Sequence, residues 1–389
     1  MILYSNYKAV LLSFIFLSAV ILIWAVLTTY LKGWDSIYSV FLLFLITTFW
    51  APVLYFGWFE SVYLTRSVVY TGLVGTSVAL FLMTCYYLLI KWRKLTEAGV
   101  VKLTTVDKSI GVGLSLGSFV VLLVWMAMNF KNLPLYGWIT GEKIFRPDIE
   151  PTIPFFYSFS SYLYFVVPLI LLNYKDAMKA KVYYLLVAVC CVLLASGGHR
   201  SILVFYLLFH WWFVWGKRID WKVLFVGVIS VAVSILNTKA TKGTQLTLSD
   251  AVYYGLKRFF VEQGRGLPAR FDLVAENHKF VDNIPIKSQV ASHYWGGSSS
   301  TMPTFFFGDF YVLYGMVGGV LLTLIVMTLL IGMMNSLRLY EDTLTYKWMF
   351  FAVIMLLFQA DVSIPSVCRM SLVLGMGVLL LSSPYETVR

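Results

Sequence analysis

Charge is what this chain has least of. Only 13% of its 389 residues are Asp, Glu, Lys or Arg, against 60% hydrophobic, and the mean hydropathy is +0.81. A water-soluble domain of this length is not built from that mixture, which points to an all-α polytopic integral membrane protein. Acids are scarcer than bases, 19 against 30, for a net charge of +11. The excess is no nucleic-acid footprint, because much of it lies in short loops between apolar runs, where the positive-inside bias puts it. There are four cysteines, Cys85, Cys190, Cys191 and Cys368. All lie in or at the ends of apolar segments, so neither a disulfide framework nor a Cys-based metal site is expected. HExxH, a P-loop and a GxGxxG preceding a strand are all missing, which argues against metal, nucleotide or other cofactor. Internal repeats and low-complexity tracts are absent too. The first 30 residues carry one cation, Lys8, and no small-residue cleavage site, so they read as an uncleaved first span.

What is present is a succession of apolar runs. Spans are expected near 9–30, 37–57, 67–90, 109–129, 156–173, 183–197, 201–215, 223–236, 306–333, 347–363 and 368–384. That makes about eleven, with ten to twelve allowed by uncertain boundaries. The loop 91–108 holds Lys91, Arg93, Lys94, Lys102 and Lys108 against two acids and belongs on the cytoplasmic side. The loop 130–155 is charge-balanced and falls outside. Loops 174–182 and 216–222 are basic and cytoplasmic, so the alternation is consistent. The loop 237–305 then falls outside despite eight Lys or Arg against five acids, since loops beyond about 60 residues largely escape the charge rule. The C-terminus is expected in the cytoplasm.

Arg200 stands out within this pattern. It sits in Ser196-Gly197-Gly198-His199-Arg200-Ser201, between apolar arms that run from Val182 to Ala195 and from Ile202 to Trp215. Basic residues flank both outer ends, so the segment must go out and return, with the motif at the outer tip of a hairpin. Arms of about 15 residues are short for spans that usually need about 20, so the tip is expected low in the outer leaflet. A cation placed there costs about 2.5–3.5 kcal/mol at a helix centre on insertion scales, and should face a cavity and an anion. Gly197 and Gly198 suit a sharp turn and close approach of a large headgroup. A purely structural arginine, neutralising helix carbonyls, is the competing account.

The long outer loop carries more cations. From Thr247 to Gln263 apolar residues recur at helical spacing (Leu248, Val252, Leu256, Phe259, Phe260), as in an amphipathic helix lying on the membrane surface. Gly264, Gly266 and Pro268 are expected to end it. Arg258 and Glu262 share a face, and Arg265 and Arg270 are placed in the Gly/Pro turn. Three arginines in 13 residues beside glycines make a candidate phosphate site, because a guanidinium offers phosphate a fixed fork of donors. An interfacial helix touching anionic headgroups accounts for the same residues. Next comes Phe307-Gly308-Asp309-Phe310-Tyr311, with Tyr314 and Gly315, at the outer start of a span. Asp309 reads either as a helix N-cap or as a carboxylate able to take a proton. Tyr311 and Tyr314 sit at headgroup level, and Gly315 with Gly319 forms a GxxxG that would let another helix approach closely. His293 and Glu262 are further candidate bases, and His293-Tyr294-Trp295 could stack on sugar rings.

Together these segments resemble the Wzy-type O-antigen (oligosaccharide repeat-unit) polymerases, in the wider group that includes the O-antigen ligases. The resemblance rests on Gly197-Gly198-His199-Arg200-Ser201 between two spans, on the arginine-bearing outer loop, and on the aromatic Gly308-Asp309-Phe310-Tyr311 segment. Ligases of the group typically place a His-Asn pair at the last of these positions; here there is no histidine, which favours a polymerase. The resemblance implies a GT-C-like membrane glycosyltransferase without nucleotide or metal, in a bacterial inner membrane with its site facing the periplasm. Donor and acceptor would be oligosaccharides on a polyprenyl (undecaprenyl) diphosphate, with membrane lipid and a chain-length regulator protein as partners and no nucleic acid. Arg200, Arg258, Arg265 and Arg270 would hold the diphosphate, and Asp309, or else Glu262 or His293, would be the base. Gly197, Gly198, His199 and Ser201 would shape the motif, and Tyr311 and Tyr314 would contact substrate. A ligase acting on lipid A core and a lipid-linked oligosaccharide flippase are the alternatives.

Overall fold

A computed structural model describes residues 37–60, 62–93, 108–141, 156–196, 200–215, 253, 257, 261, 264–282, 284–296, 302, 304–359 and 364–382. Every regular element among them is helical, and every apolar run that falls on them forms helix. The runs expected at 9–30 and 223–236 lie outside the described residues, as does most of the amphipathic stretch 247–263. The chain divides into two compact units. One comprises Met1–Val101, Leu256–Leu339 and Val353–Cys368; the other comprises Lys102–Gly255, Tyr340–Ala352 and Arg369–Arg389.

In the first unit, α1 (Tyr38–Leu45) passes through a widened turn, Ile46–Trp50, into α2 (Ala51–Trp58). The widening has a local cause. Pro52 has no N–H to give the carbonyl four residues back, so the ladder slips and the Ala51 amide bonds to Ile46 O instead. After an irregular stretch comes the long α3 (Thr65–Arg93). In the second unit α4 (Lys108–Asn129), α5 (Pro134–Thr140), α6 (Phe156–Asn173), α7 (Ala180–Ser196) and α8 (Arg200–Phe209) follow. A second widened turn, His210–Val214, extends α8. The first unit resumes with α9 (Gly266–Ala275), α10 (Ile286–Trp295) and α11 (Phe307–Ser336), after which come α12 (Leu344–Gln359) and α13 (Ile364–Ser382).

Among the described residues, two helices are long and apolar enough to cross a membrane, Thr65–Cys85 within α3 and Phe307–Ser336. Shorter apolar helices accompany them at Tyr164–Asn173, Ala180–Val192, Phe205–Val214, Leu344–Phe358 and Ser366–Ser382. α11 is interrupted at Gly315, where φ is 70° and ψ −173°, a conformation open to glycine and almost nothing else. Beyond that break, 316–336 is about 30 Å long at 1.5 Å per residue, the thickness of a hydrocarbon core. Its outward side carries exposed Val317, Leu321, Ile325 and Leu329. An exposed apolar stripe of that length belongs against lipid or protein, not water. Gly315 was expected to serve helix packing; it breaks the helix instead. At Gly319 an added methyl would meet Tyr311 and Phe307 of the same helix, not a neighbouring one.

The first unit has two apolar centres. Phe41, Phe44, Phe49, Phe305 and Phe358 interlock edge to face or tilted, with centroids 5.0–6.4 Å apart. The other gathers Val53, Phe56, Tyr63, Val68, Val261, Ala269, Leu273, Val290, Ala291 and Met302. α9 lies between α3, α10 and α11 and is buried from Gly266 to Leu273. A ten-residue segment is therefore the hub of the unit, and it carries Arg270 and Asp272.

Candidate functional site

The Gly/Pro segment, expected to end the preceding amphipathic stretch, starts a new helix, α9; most of the preceding stretch lies outside the described residues. Pro268 falls in the first turn of α9, where its missing N–H would have had no helical acceptor anyway. Arg265 sits in the turn expected for it, at the N-cap of α9, whereas Arg270 lies in the middle of the helix. Gly264, just before, is pressed against the widened turn: a methyl there would collide with the Thr48 carbonyl and the Pro52 ring. The kink made by Pro52 thus receives the chain that leads into the arginines.

Arg270 is wholly buried. Its Nε donates to Asp309 Oδ1 at 2.7 Å, and its Nη1 donates to the Gly266 and Met302 carbonyls at 2.9 and 3.3 Å. Its Nη2 is buried with no hydrogen-bond partner among the described residues. Asp309 is only 1% exposed and occupies the third position of α11, behind the N-cap residue Phe306, so it is not an N-cap. Gly308 is what lets the arginine pass. A methyl at that position would lie 2.8 Å from Arg270 Cδ and 3.0 Å from Thr304 Oγ1, another buried polar atom without a partner. The residues expected to hold a diphosphate and to take a proton are thus joined to each other.

Asp272, two residues on, faces another way. Both its oxygens accept the Leu64 amide at 3.3 and 3.1 Å, at the N-terminus of α3, and Oδ2 accepts the Tyr294 hydroxyl at 3.3 Å. A carboxylate is favoured at that end of a helix. Burial nevertheless raises its pKa from the ordinary carboxyl value, and the hydrogen bonds from Leu64 and Tyr294 only partly offset this. Tyr294 is pushed well above the usual phenol value, first by burial and then by the Asp272 charge. From Arg270 and Asp272 together, α9 is tied by polar bonds to α3, α10 and α11.

A second ionic group lies at the end of α2. Lys257 Nζ is 3.0 Å and Arg265 Nη2 is 3.3 Å from the same oxygen of Glu60, Oε2, with Arg265 Nη2 also 3.5 Å from Oε1. Lys257 stands over the Tyr55 ring at 4.8 Å and the Arg265 guanidinium over Phe56 at 5.2 Å. Burial opposes ionisation of Glu60, but the Lys257 hydrogen bond and the charges of Arg265 and Lys257 outweigh it and hold the carboxyl below its usual value. Burial likewise opposes the charge on Lys257, and hydrogen bonds to Tyr55 and Glu60 more than compensate.

Other residues singled out in the sequence are placed as follows. Tyr311 packs on Phe271 and Phe307 with centroids at 4.9 and 6.1 Å, whereas Tyr314 is exposed. His293 is exposed and stands within a run of rings, Phe56–Tyr63–Tyr294–His293–His278–Phe280, each 4.9–5.5 Å from the next. Arg200 is the first residue of α8 and Ser201 the second, and α7 and α8 pack together as the two arms of the expected hairpin. Gly197, Gly198, His199, Arg258 and Glu262 lie outside the described residues. Arg200 belongs to the second unit, Arg265, Arg270 and Asp309 to the first. The sequence reading missed Glu60, Lys257 and Asp272. Asp272 had a visible signal, a carboxylate two residues from an arginine within the otherwise apolar Gly266–Ala275. Glu60 had none, because its partners lie about 200 residues away. No family model, curated protein or solved structure matches this chain.

Proposed function

We propose that the protein is a multi-pass membrane glycosyltransferase that polymerises lipid-linked oligosaccharide repeat units on the outer face of a bacterial inner membrane. In this reading about eleven spans form a GT-C-like body with the C-terminus in the cytoplasm. The observation that carries it is the cluster of Lys257, Arg265 and Arg270 around a short buried helix, next to the head of a helix long enough to cross a membrane. Cations held there suit the departure of a lipid-borne diphosphate, on which negative charge builds as the bond breaks.

The reaction is a substitution at an anomeric carbon. The acceptor hydroxyl oxygen bonds to that carbon while its bond to the diphosphate oxygen breaks. The hydroxyl proton goes to a base and the electron pair leaves on the diphosphate. Lys257, partly exposed, and Arg265 beside it meet the diphosphate first, and Arg200 is needed for the reaction on the resemblance to the polymerases. Arg270 holds Asp309 in place at the head of α11, and Asp309 takes the proton once the incoming phosphate draws the arginine's donors away.

The test is made in cells that carry the protein's own glycan pathway. Arg200→Ala or Arg265→Ala should leave protein in the membrane and reduce the surface glycan to single repeat units, seen as loss of the ladder on gels. Full-length chains in both variants would end the proposal. A surface with no glycan at all after deletion of the gene would point to a flippase or a ligase instead.

A further inference from the structure

We propose that Lys257 and Arg265 form a binding site for a phosphate group, and that Glu60 is a built-in occupant which the ligand displaces. The inference deepens the glycosyltransferase reading and takes from it only the identity of the natural ligand, a polyprenyl diphosphate.

Three features of the cluster support it. First, two cations converge on one carboxylate oxygen, Glu60 Oε2, at 3.0 and 3.3 Å. A simple tether between α2 and the outer loop would need one. Second, the cations are held from below by something other than Glu60. The Tyr55 and Phe56 rings, adjacent on α2, lie under Lys257 and Arg265 respectively. Those contacts remain when the carboxylate leaves, so the pair of cations stays in position to receive another anion. Third, the carboxylate is the part most able to move. Glu60 stands in the irregular stretch between α2 and α3, beside Phe59, which is 77% exposed. Its side chain is 28% exposed, against 19% for Lys257 and 10% for Arg265. An arginine presents its donors in a fixed fork and a lysine adds a point charge, a combination suited to phosphate oxygens. Exchange of Glu60 for ligand also frees the segment between α2 and α3, which ends where Asp272 binds the Leu64 amide. Occupancy of the phosphate site is thereby linked to α9 and its Arg270–Asp309 pair.

The test uses the full chain in a neutral detergent and inorganic pyrophosphate as the probe, with affinity read by titration calorimetry. Glu60→Gln, which removes the competing charge, should tighten pyrophosphate binding by about tenfold, the size of one favourable charge interaction. Lys257→Gln should weaken it severalfold, and the double variant should lose the gain. Unchanged or weaker binding in Glu60→Gln overturns the proposal, as does unchanged binding in Lys257→Gln, which also serves if the first variant does not fold. Competition by phosphatidylglycerol in nanodiscs would assign the site to lipid headgroups. Competition by a polyprenyl diphosphate but not by phosphatidylglycerol would assign it to the carrier. If Glu60 governs pyrophosphate affinity while Arg200→Ala and Arg265→Ala cells both keep full-length glycan, the phosphate site stands and the polymerase reading falls. The opposite pattern removes the site and leaves the polymerase.

Discussion

The two units bury polar groups by opposite means. In the first, the interior holds charge: Arg270 and Asp309 are both almost completely removed from solvent, and Glu60, Lys257 and Arg265 are partly so. In the second, the described interior holds neutral groups. His210 is buried, with Nδ1 3.0 Å from the Tyr206 carbonyl and Nε2 2.8 Å from the Tyr183 hydroxyl. A carbonyl can only accept, so Nδ1 carries the hydrogen and Nε2 accepts from Tyr183. Trp348 donates its indole N–H to the Phe165 carbonyl at 2.8 Å, and Thr345 bonds to Asn173 at 3.2 Å. Neutral bonds of this kind fix packing at low desolvation cost. A buried ion pair is a poor way to gain stability, because removing two charges from water offsets most of their attraction. Stability alone therefore does not account for the charges of the first unit, and the anion site proposed above would.

The comparison can be broken most forcefully at Arg270. Arg270→Ala leaves the Asp309 carboxylate buried without its partner and should lower the unfolding free energy by about 3–5 kcal/mol, measured by unfolding in mixed micelles. Replacing both members with apolar residues, Arg270→Met with Asp309→Leu, should restore most of that loss while abolishing polymerisation. If the double variant stayed active, the pair would have only a packing role.

An intermediate effect is expected in the second unit. His210→Phe removes the acceptor of the Tyr183 hydroxyl and should cost about 1–3 kcal/mol, the usual penalty for losing a buried hydrogen bond. Adding Tyr183→Phe should recover much of it, and surface glycan should keep its normal length in both variants. Shortened glycan there would mean that the neutral cluster shares in the chemistry and that the contrast between units is false.

The smallest effect is in the pH dependence, where two carboxyls of the first unit act in opposite directions. The folded-state pKa of Glu60 is depressed, so its contribution to stability is present above its unfolded pKa, about 4.3, and is lost as pH falls through the folded value. The folded-state pKa of Asp272 is raised, so its contribution is present below its unfolded pKa, about 3.9, and is lost as pH rises through the folded value. Glu60→Gln should therefore flatten the acid limb of a melting-temperature profile. Asp272→Asn should steepen it by removing the opposing trend. A profile unaltered by Glu60→Gln would mean that its two cations do not hold it ionised.

How much of this was legible beforehand differs from element to element. The helices that carry apolar runs were legible, because an apolar stretch in a chain so poor in charge has one economical way to satisfy its backbone, hydrogen bonding within itself. α4 and α6 coincide with their expected runs to within a residue. α9 was missed, because Gly264, Gly266 and Pro268 were weighed as helix breakers when all three lie before or within the first turn, where a helix tolerates them. Gly315 was read for packing because the spacing to Gly319 was visible and the backbone angle was not.

Local order followed from the amino-acid sequence alone: which segments are helical, which residues are too polar to be idle, and that positive charge gathers in the stretch 237–305. Pairing among those residues was decided only by the tertiary structure. Arg270 meets Asp309 across 39 positions and Lys257 meets Glu60 across 197. Helical propensity and hydrophobic spacing act over a few residues at a time, whereas a charge chooses its partner by distance in space. Only the folded chain sets that distance.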